Sequence, residues 1–338
     1  MGTVLAAALL LVALFATAAA ASPFAPLDRP GPKLRVDKDK LRGSLVCTDD
    51  VAGATRAPVL LVPATGVNSE QNFSWNYEKL LTARGIPFCT SDQPGARNSN
   101  QTDIQLRGQY LTYAIRKVHA MAGRKIAVMG HSQGGMAMRW PLRFWPDTRA
   151  MVDDVIGFAG TNQGTTQAAD CDGTADCTAA GAQQSNGSQF IRALNSGAET
   201  FAGISYTEIG TARDETVTPQ PGASFVDGPG DITNVLIQDV CPNATSEHLM
   251  VGTSDPTAAA LALDALDHPG PADPHRISPT VCAEPFQPGV DPVTAPAEIA
   301  AAIKSLYLDD SPKVAEPALR CYVFKNGRTC RRARRASR

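Results

Sequence analysis

Among the 338 residues, the stretch with the most chemical content is Gly130-His131-Ser132-Gln133-Gly134-Gly135. It follows an apolar run at 126–129 and precedes a helix-like run at 136–140, so it reads as a strand-to-helix turn of the form G-x-S-x-G. The glycines remove side chains that would clash where the backbone reverses, and the serine hydroxyl is left standing free. The first N–H groups of the following helix have no intrahelical partners and point toward any negative charge that develops beside the hydroxyl. Ser132 is therefore the candidate nucleophile, with the Gln133 N–H beside it as charge stabiliser.

A serine hydroxyl is a poor nucleophile near neutral pH unless a histidine takes its proton and an acid holds that histidine's tautomer. There are five histidines. When the serine sits at the end of a central parallel strand, the chain order is serine, acid, histidine. That order sets aside His119 and His131 and leaves His248, His268 and His275. The last two lie in or beside the loop-like run His268-Pro269-Gly270-Pro271. His248 follows a strand at 232–237 by a short loop and is the expected base. The acid should come from a strand-end loop between Ser132 and His248. Asp214 fits, following the strand at 205–211, and from position alone its neighbour Glu215 fits nearly as well. The loop at Thr65, which ends the proline-bounded apolar run 58–63, is the expected second arm of an oxyanion hole with Gln133.

The elements that must position these residues recur as strand, helix, strand. Apolar runs at 58–63, 126–129 and 155–159 suit strands buried on both faces, and 205–211 and 232–237 suit two more. Residues 108–121 and 258–266 carry apolar side chains at helical intervals. The fold class expected is α/β, a mostly parallel sheet with helices on both faces. Residues 168–188 are rich in Ala, Gly, Asp and Gln without sustained period and read as a surface insertion, which the pair Cys171 and Cys177 could close into a small loop.

Composition sets the frame. The chain is 43% hydrophobic and 19% charged, enough for one sizeable core. Residues 1–21 lack charge, run apolar from 4 to 15 and offer small-residue cleavage patterns, as a secretion signal would. The expected organisation is a signal peptide at 1–21, a single catalytic domain at 22–330 and a basic tail at 331–338; six of the last eleven residues are arginine. No later segment is apolar enough to span a bilayer. The eight cysteines form an even set behind an export signal, with no C-x-x-C pair, so disulfides rather than zinc are expected. Residues 22–33, rich in proline, read as an extended arm. Asn72, Asn100, Asn186 and Asn243 each begin an N-x-S/T acceptor pattern.

With these residues in hand, the chain resembles the lipase B family of α/β-hydrolases. The landmarks are Leu60-Leu61-Val62-Pro63-Ala64-Thr65-Gly66, Ser132-Gln133-Gly134-Gly135, Gly210-Thr211-Ala212-Arg213-Asp214-Glu215, Val240-Cys241-Pro242 with His248, and Gly327-Arg328-Thr329-Cys330. The resemblance implies an α/β-hydrolase fold with a small lid insertion, and a triad of Ser132, Asp214 and His248, which decides between Asp214 and Glu215. It implies Thr65 and Gln133 as the oxyanion hole, and disulfides joining Cys47 with Cys89, Cys241 with Cys282 and Cys321 with Cys330. Cys171 and Cys177 fall outside the family pattern, where the family carries a mobile cover. His131 is a second departure, since the family has tryptophan there. The expected protein is a secreted, monomeric serine esterase without cofactor or metal, acting on lipid or other apolar acyl esters, at an oil–water interface or in solution, with no nucleic-acid partner. The alternatives are a polyester or cutin-type hydrolase and an inactive binding module on the same scaffold.

Overall fold

The computed structural model describes residues 22–93, 99–172, 174–307 and 311–336; the segment read as a secretion signal lies outside them. Seven strands form one sheet: β1 Leu45–Cys47, β2 Val59–Val62, β3 Phe88–Ser91, β4 Ile126–His131, β5 Val152–Phe158, β6 Ser205–Gly210 and β7 Asp231–Leu236. Their spatial order is β1-β3-β2-β4-β5-β6-β7, and every pairing is parallel except β1 with β3.

The uninterrupted apolar runs of β2 and β4 follow from this order, because both strands are covered on both faces. Along β2, Leu60 and Val62 join one core with Leu111, Ile115 and Trp140, while Val59 and Leu61 face a second core with Leu261 and Ala262. Along β4, Val128 belongs to the first core and Ala127 and Met129 to the second, the alternation that a pleated strand imposes. β4 is the central strand of seven, so the residue leaving its carboxyl end emerges at the middle of one sheet edge, where open parallel sheets place their ligand crevice.

The principal helix on the first face is Ile104–Ala122. Asp103 caps it, accepting from the Gln105 N–H, and Gly123 ends it in the left-handed conformation at φ 66°. On the second face, Pro256–Asp267 starts on an Asp255 cap with proline in its first turn.

Four disulfides are present: Cys47–Cys89, Cys171–Cys177, Cys241–Cys282 and Cys321–Cys330. The first joins directly opposed residues of β1 and β3. The proline-rich arm is extended and tied down: Ala25 N–H donates to Val323 O, Lys325 N–H donates to Pro23 O, and Phe24 stacks on Phe324.

Two segments differ from their sequence reading. The stretch 168–188 is exposed mainly in its first half. Its second half includes the helix Ala179–Gln183, in which Ala180, Ala182 and Gln183 are buried against the body of the protein. Small residues without period suit a helix covered on several sides as well as they suit a loop. The basic end of the chain, read as a tail outside the catalytic domain, is helical over Gly327–Ala336 and is anchored by Cys330. Among the described residues, no helix is long and apolar enough to cross a membrane.

Candidate active site

Ser132 lies between β4 and the helix Gln133–Ala137, with φ 55° and ψ −119°, a conformation that a side-chain-bearing residue holds only when its surroundings enforce it. Its N–H donates to Phe158 O at the end of β5, and the flanking glycines permit the reversal. A Cβ on Gly130 would lie 2.5 Å from Gly134 O and 2.6 Å from Gly135 N.

His248 opens the one-turn helix His248–Val251. Glu247 caps that turn, accepting from Leu249 N–H at 2.7 Å and Met250 N–H at 3.1 Å. The histidine loop is tied to the acid loop through Thr211, whose hydroxyl donates to Ser246 O at 2.8 Å and accepts from Gln238 Nε2. Asp214 follows β6 in that acid loop. Its Oδ1 accepts from the Thr216 and Val217 N–H groups, at 2.9 and 2.7 Å, which fixes the carboxylate and leaves Oδ2 for the histidine.

These three loops bring the side chains into line. His248 Nδ1 is 2.9 Å from Asp214 Oδ2, and His248 Nε2 is 3.0 Å from Ser132 Oγ. The Asp214 side chain is fully shielded from solvent and accepts three hydrogen bonds. Glu215, equally placed by sequence position, is exposed and accepts only from the neighbouring Thr216 hydroxyl. His268 Nδ1 bonds Asp264 O, His119 Nδ1 bonds Arg124 O, and His275 lies in an exposed turn; none of the three lines the cavity.

The line opens into a cavity of about 700 Å³. One wall is apolar, from Ala64, Val67, Leu249, Ala302 and Ile303; the lining also carries the polar side chains of Thr161, Thr165, Gln167, Gln184 and Thr216. Thr65 is on the lining beside Ser132. Its hydroxyl accepts from Gln133 Nε2 at 3.2 Å and from Gln184 Nε2 at 3.0 Å.

His131, where the family carries tryptophan, is buried and its ring lies 5.3 Å from that of His248. Its Nε2–H donates to His248 O, and burial, reinforced by the nearby His248, pushes its pKa down to about 3. It is therefore neutral at physiological pH and packs beside His248.

Sequence reasoning did not find Gln184, Arg107, Asn100 or the wall residues Ala302 and Ile303. Arg107 is buried on the Ile104–Ala122 helix, and Ala302 and Ile303 come from the helix Ala295–Tyr307. An arginine among the inward positions of that first helix was the one visible sign. Of the four glycosylation patterns, Asn72 and Asn100 are buried and bonded inside, whereas Asn186 and Asn243 are exposed.

A mostly parallel sheet with a serine-bearing turn at the end of its central strand, and the acid and histidine on later strand-end loops, defines an α/β-hydrolase. Comparison narrows this. The chain is 32% identical over 231 residues to lipase B of Pseudozyma antarctica, a match covering 67% of each chain. The crystal structure of Aspergillus fumigatus lipase B superposes with a TM-score of 0.75 at 25% identity, over 87% of this chain and 73% of that one. No family model matches the sequence. The chain belongs to the lipase B family.

Proposed function

We propose that this carboxylic ester hydrolase is a secreted lipase or esterase acting on lipid or other apolar acyl esters through a covalent acyl-enzyme on Ser132. The observation that carries the reading is the unbroken line from Asp214 through His248 to Ser132 at the floor of a cavity with an apolar wall.

In the first half-reaction Ser132 Oγ attacks the ester carbonyl carbon while its proton passes to His248 Nε2. Asp214 accepts the Nδ1–H and steadies the imidazolium. The carbonyl oxygen becomes an oxyanion, held by the Gln133 N–H and the Thr65 arm. Collapse breaks the bond to the alcohol oxygen, which leaves with the proton from His248. In the second half His248 takes a proton from water, the hydroxide attacks the acyl-serine carbonyl, and the acid departs as Ser132 recovers its proton. Four disulfides support export to an oxidising compartment, where such bonds persist.

The test is turnover of a p-nitrophenyl ester series of increasing acyl length by the purified protein, beside Ser132→Ala. Turnover in the wild type, with loss of activity and of organophosphonate labelling in a folded Ser132→Ala, is expected. A variant that still labels or turns over refutes the assignment.

A further inference from the structure

Arg107 is about 2% exposed, and its two hydrogen bonds go to uncharged oxygens. Burial draws its pKa down to about 9, opposed by the charge of Asp92, so the guanidinium is a desolvated cation at neutral pH. Taking a cation out of water is costly unless acceptors meet its donors.

The direction of its bonds explains the position. Nη2 donates to Pro63 O at 2.6 Å, in the strand-end loop that carries Thr65. Nη1 donates to Gln133 Oε1, on the residue whose backbone N–H flanks the nucleophile. One rigid fork thus spans the two arms of the oxyanion hole, which otherwise belong to separate stretches of chain.

The bonds also set one proton. Gln133 Oε1 faces a guanidinium, so Nε2 must be the donor toward Asn100 O at 2.7 Å and Thr65 Oγ1. Gln184 is oriented in the same way. Its Nε2 faces Ala180 O, an acceptor only, and its Oε1 faces the Thr161 hydroxyl, so Nε2 donates to Thr65 as well. A hydroxyl has two acceptor sites and one donor. Both acceptor sites of Thr65 are filled, and its O–H is left to point into the cavity.

We propose that Arg107 is a positioning residue of the oxyanion hole. It holds the Pro63–Thr65 arm at a fixed distance from Gln133, and heads a relay from guanidinium to Gln133 amide to Thr65 hydroxyl that ends on the ester's developing oxyanion. Each member accepts from the group before it and donates to the next, so the cation strengthens every later donor. Gln184 supplies the second bond that commits the Thr65 proton. This inference rests on the acyl-enzyme reading above.

The experiment measures kcat and KM on a soluble short-chain p-nitrophenyl ester for wild type, Arg107→Met and Arg107→Lys, with active enzyme counted by phosphonate titration. The same proteins are titrated with an alkyl boronic acid, which forms a tetrahedral anion on Ser132, and with the corresponding alkyl alcohol as a ground-state ligand. Direct loss of one oxyanion donor costs about 10²–10³ in rate. Indirect misplacement in Arg107→Met should cost about 10–100-fold in kcat, with KM within about threefold. Boronate affinity should fall by the same factor as kcat/KM, while alcohol affinity holds. Arg107→Lys keeps the charge without the fork and should fall between. In a Thr65→Val background Arg107→Met should cost less than about threefold more, because the relay is already cut.

Wild-type kcat per active site in Arg107→Met, or a kcat loss with unchanged boronate affinity, overturns the proposal. If Arg107→Met does not fold, Arg107→Lys decides by the same comparison. Ser132→Ala runs alongside. An active Ser132→Ala overturns the acyl-enzyme reading, whereas an inactive one with indifferent Arg107 variants overturns this inference alone.

Discussion

Replacing Gly134 with alanine adds one methyl group at the point where the turn at Ser132 meets the end of β2. A Cβ built there lies 2.8 Å from both Pro63 O and Val62 C, and closer still to Val62 O. All three neighbours are backbone atoms, so no side chain can swing aside. Ordinary contact begins near 3.4 Å, so Pro63 must retreat by roughly 0.6 Å, and Val62 by more, relative to the helix that starts at Gln133. That movement opens the gap between the two arms of the proposed oxyanion hole. Misplacement of about 1 Å costs on the order of 10²-fold in rate, and overpacking costs about 1–3 kcal/mol in stability. The expected outcome is a folded protein with a lower Tm and with kcat reduced by about 10–100-fold on a soluble ester. Gly222→Ala is the matched control. Its added Cβ meets nothing nearer than Pro219 O at 3.9 Å, and it should leave both quantities close to wild type. A Gly134→Ala enzyme with wild-type kcat would refute the claim that this contact sets the geometry.

His131 stays neutral in the fold down to about pH 3, whereas the unfolded chain protonates near the ordinary value of about 6.5. The unfolded state thus binds the extra proton between those limits, and stability is lost as pH falls through the window, by up to about 1.4 kcal/mol per pH unit. His131→Phe should flatten that acid limb in urea melts, and an unchanged limb would show that His131 does not set it. Glu208 has the opposite sign: burial raises its pKa to about 8 against the pull of Arg139 and the Asn162 bond, so the folded state holds the extra proton and stability declines as pH rises from about 4.5 to 8. Glu208→Gln should remove that decline, and melts that still fall across the window would contradict it. Replacing Cys171 and Cys177 with serine frees a bridge of sequence separation 6, worth about 2 kcal/mol or less. Because Gln167 and Ala168 line the cavity nearby, KM for long acyl esters should shift more than kcat, and an unchanged KM would show that the bridge does not shape that wall.

The sheet was legible where burial on both faces leaves no polar side chain to interrupt a run, as in Val59–Val62 and 126–129. β1 and β3 left no such trace. Leu45–Cys47 is a three-residue edge strand with Val46 pointing to solvent, and Phe88–Ser91 mixes polar and apolar residues in four positions. Ser132 and His248 stand at strand ends, positions that chain order constrains, whereas position alone left Asp214 nearly tied with Glu215 and only the family resemblance separated them. Arg107 and Gln184 could not be placed. Their roles depend on which side chains face one another after folding, and a single inward arginine does not reveal its partners. The apolar wall was equally hidden: Ile299 and Ile303 recur at helical spacing, but nothing in the chain says which surface that helix covers.

That helix, Ala295–Tyr307, belongs to neither the sheet nor the loops that carry Ser132, Asp214 and His248. It rests on the rim through Ser305, whose hydroxyl donates to Gly66 O at 2.9 Å and accepts from Gln71 Nε2 at 3.3 Å. Part of the apolar wall, Ala302 and Ile303, thus comes from a passage of chain apart from the proposed triad, while Ala64, Val67 and Leu249 come from the loops that carry Thr65 and His248. Under the proposed function, changes confined to 295–307 would reshape that part of the wall for a longer, shorter or bulkier acyl group and leave Ser132, Asp214 and His248 untouched.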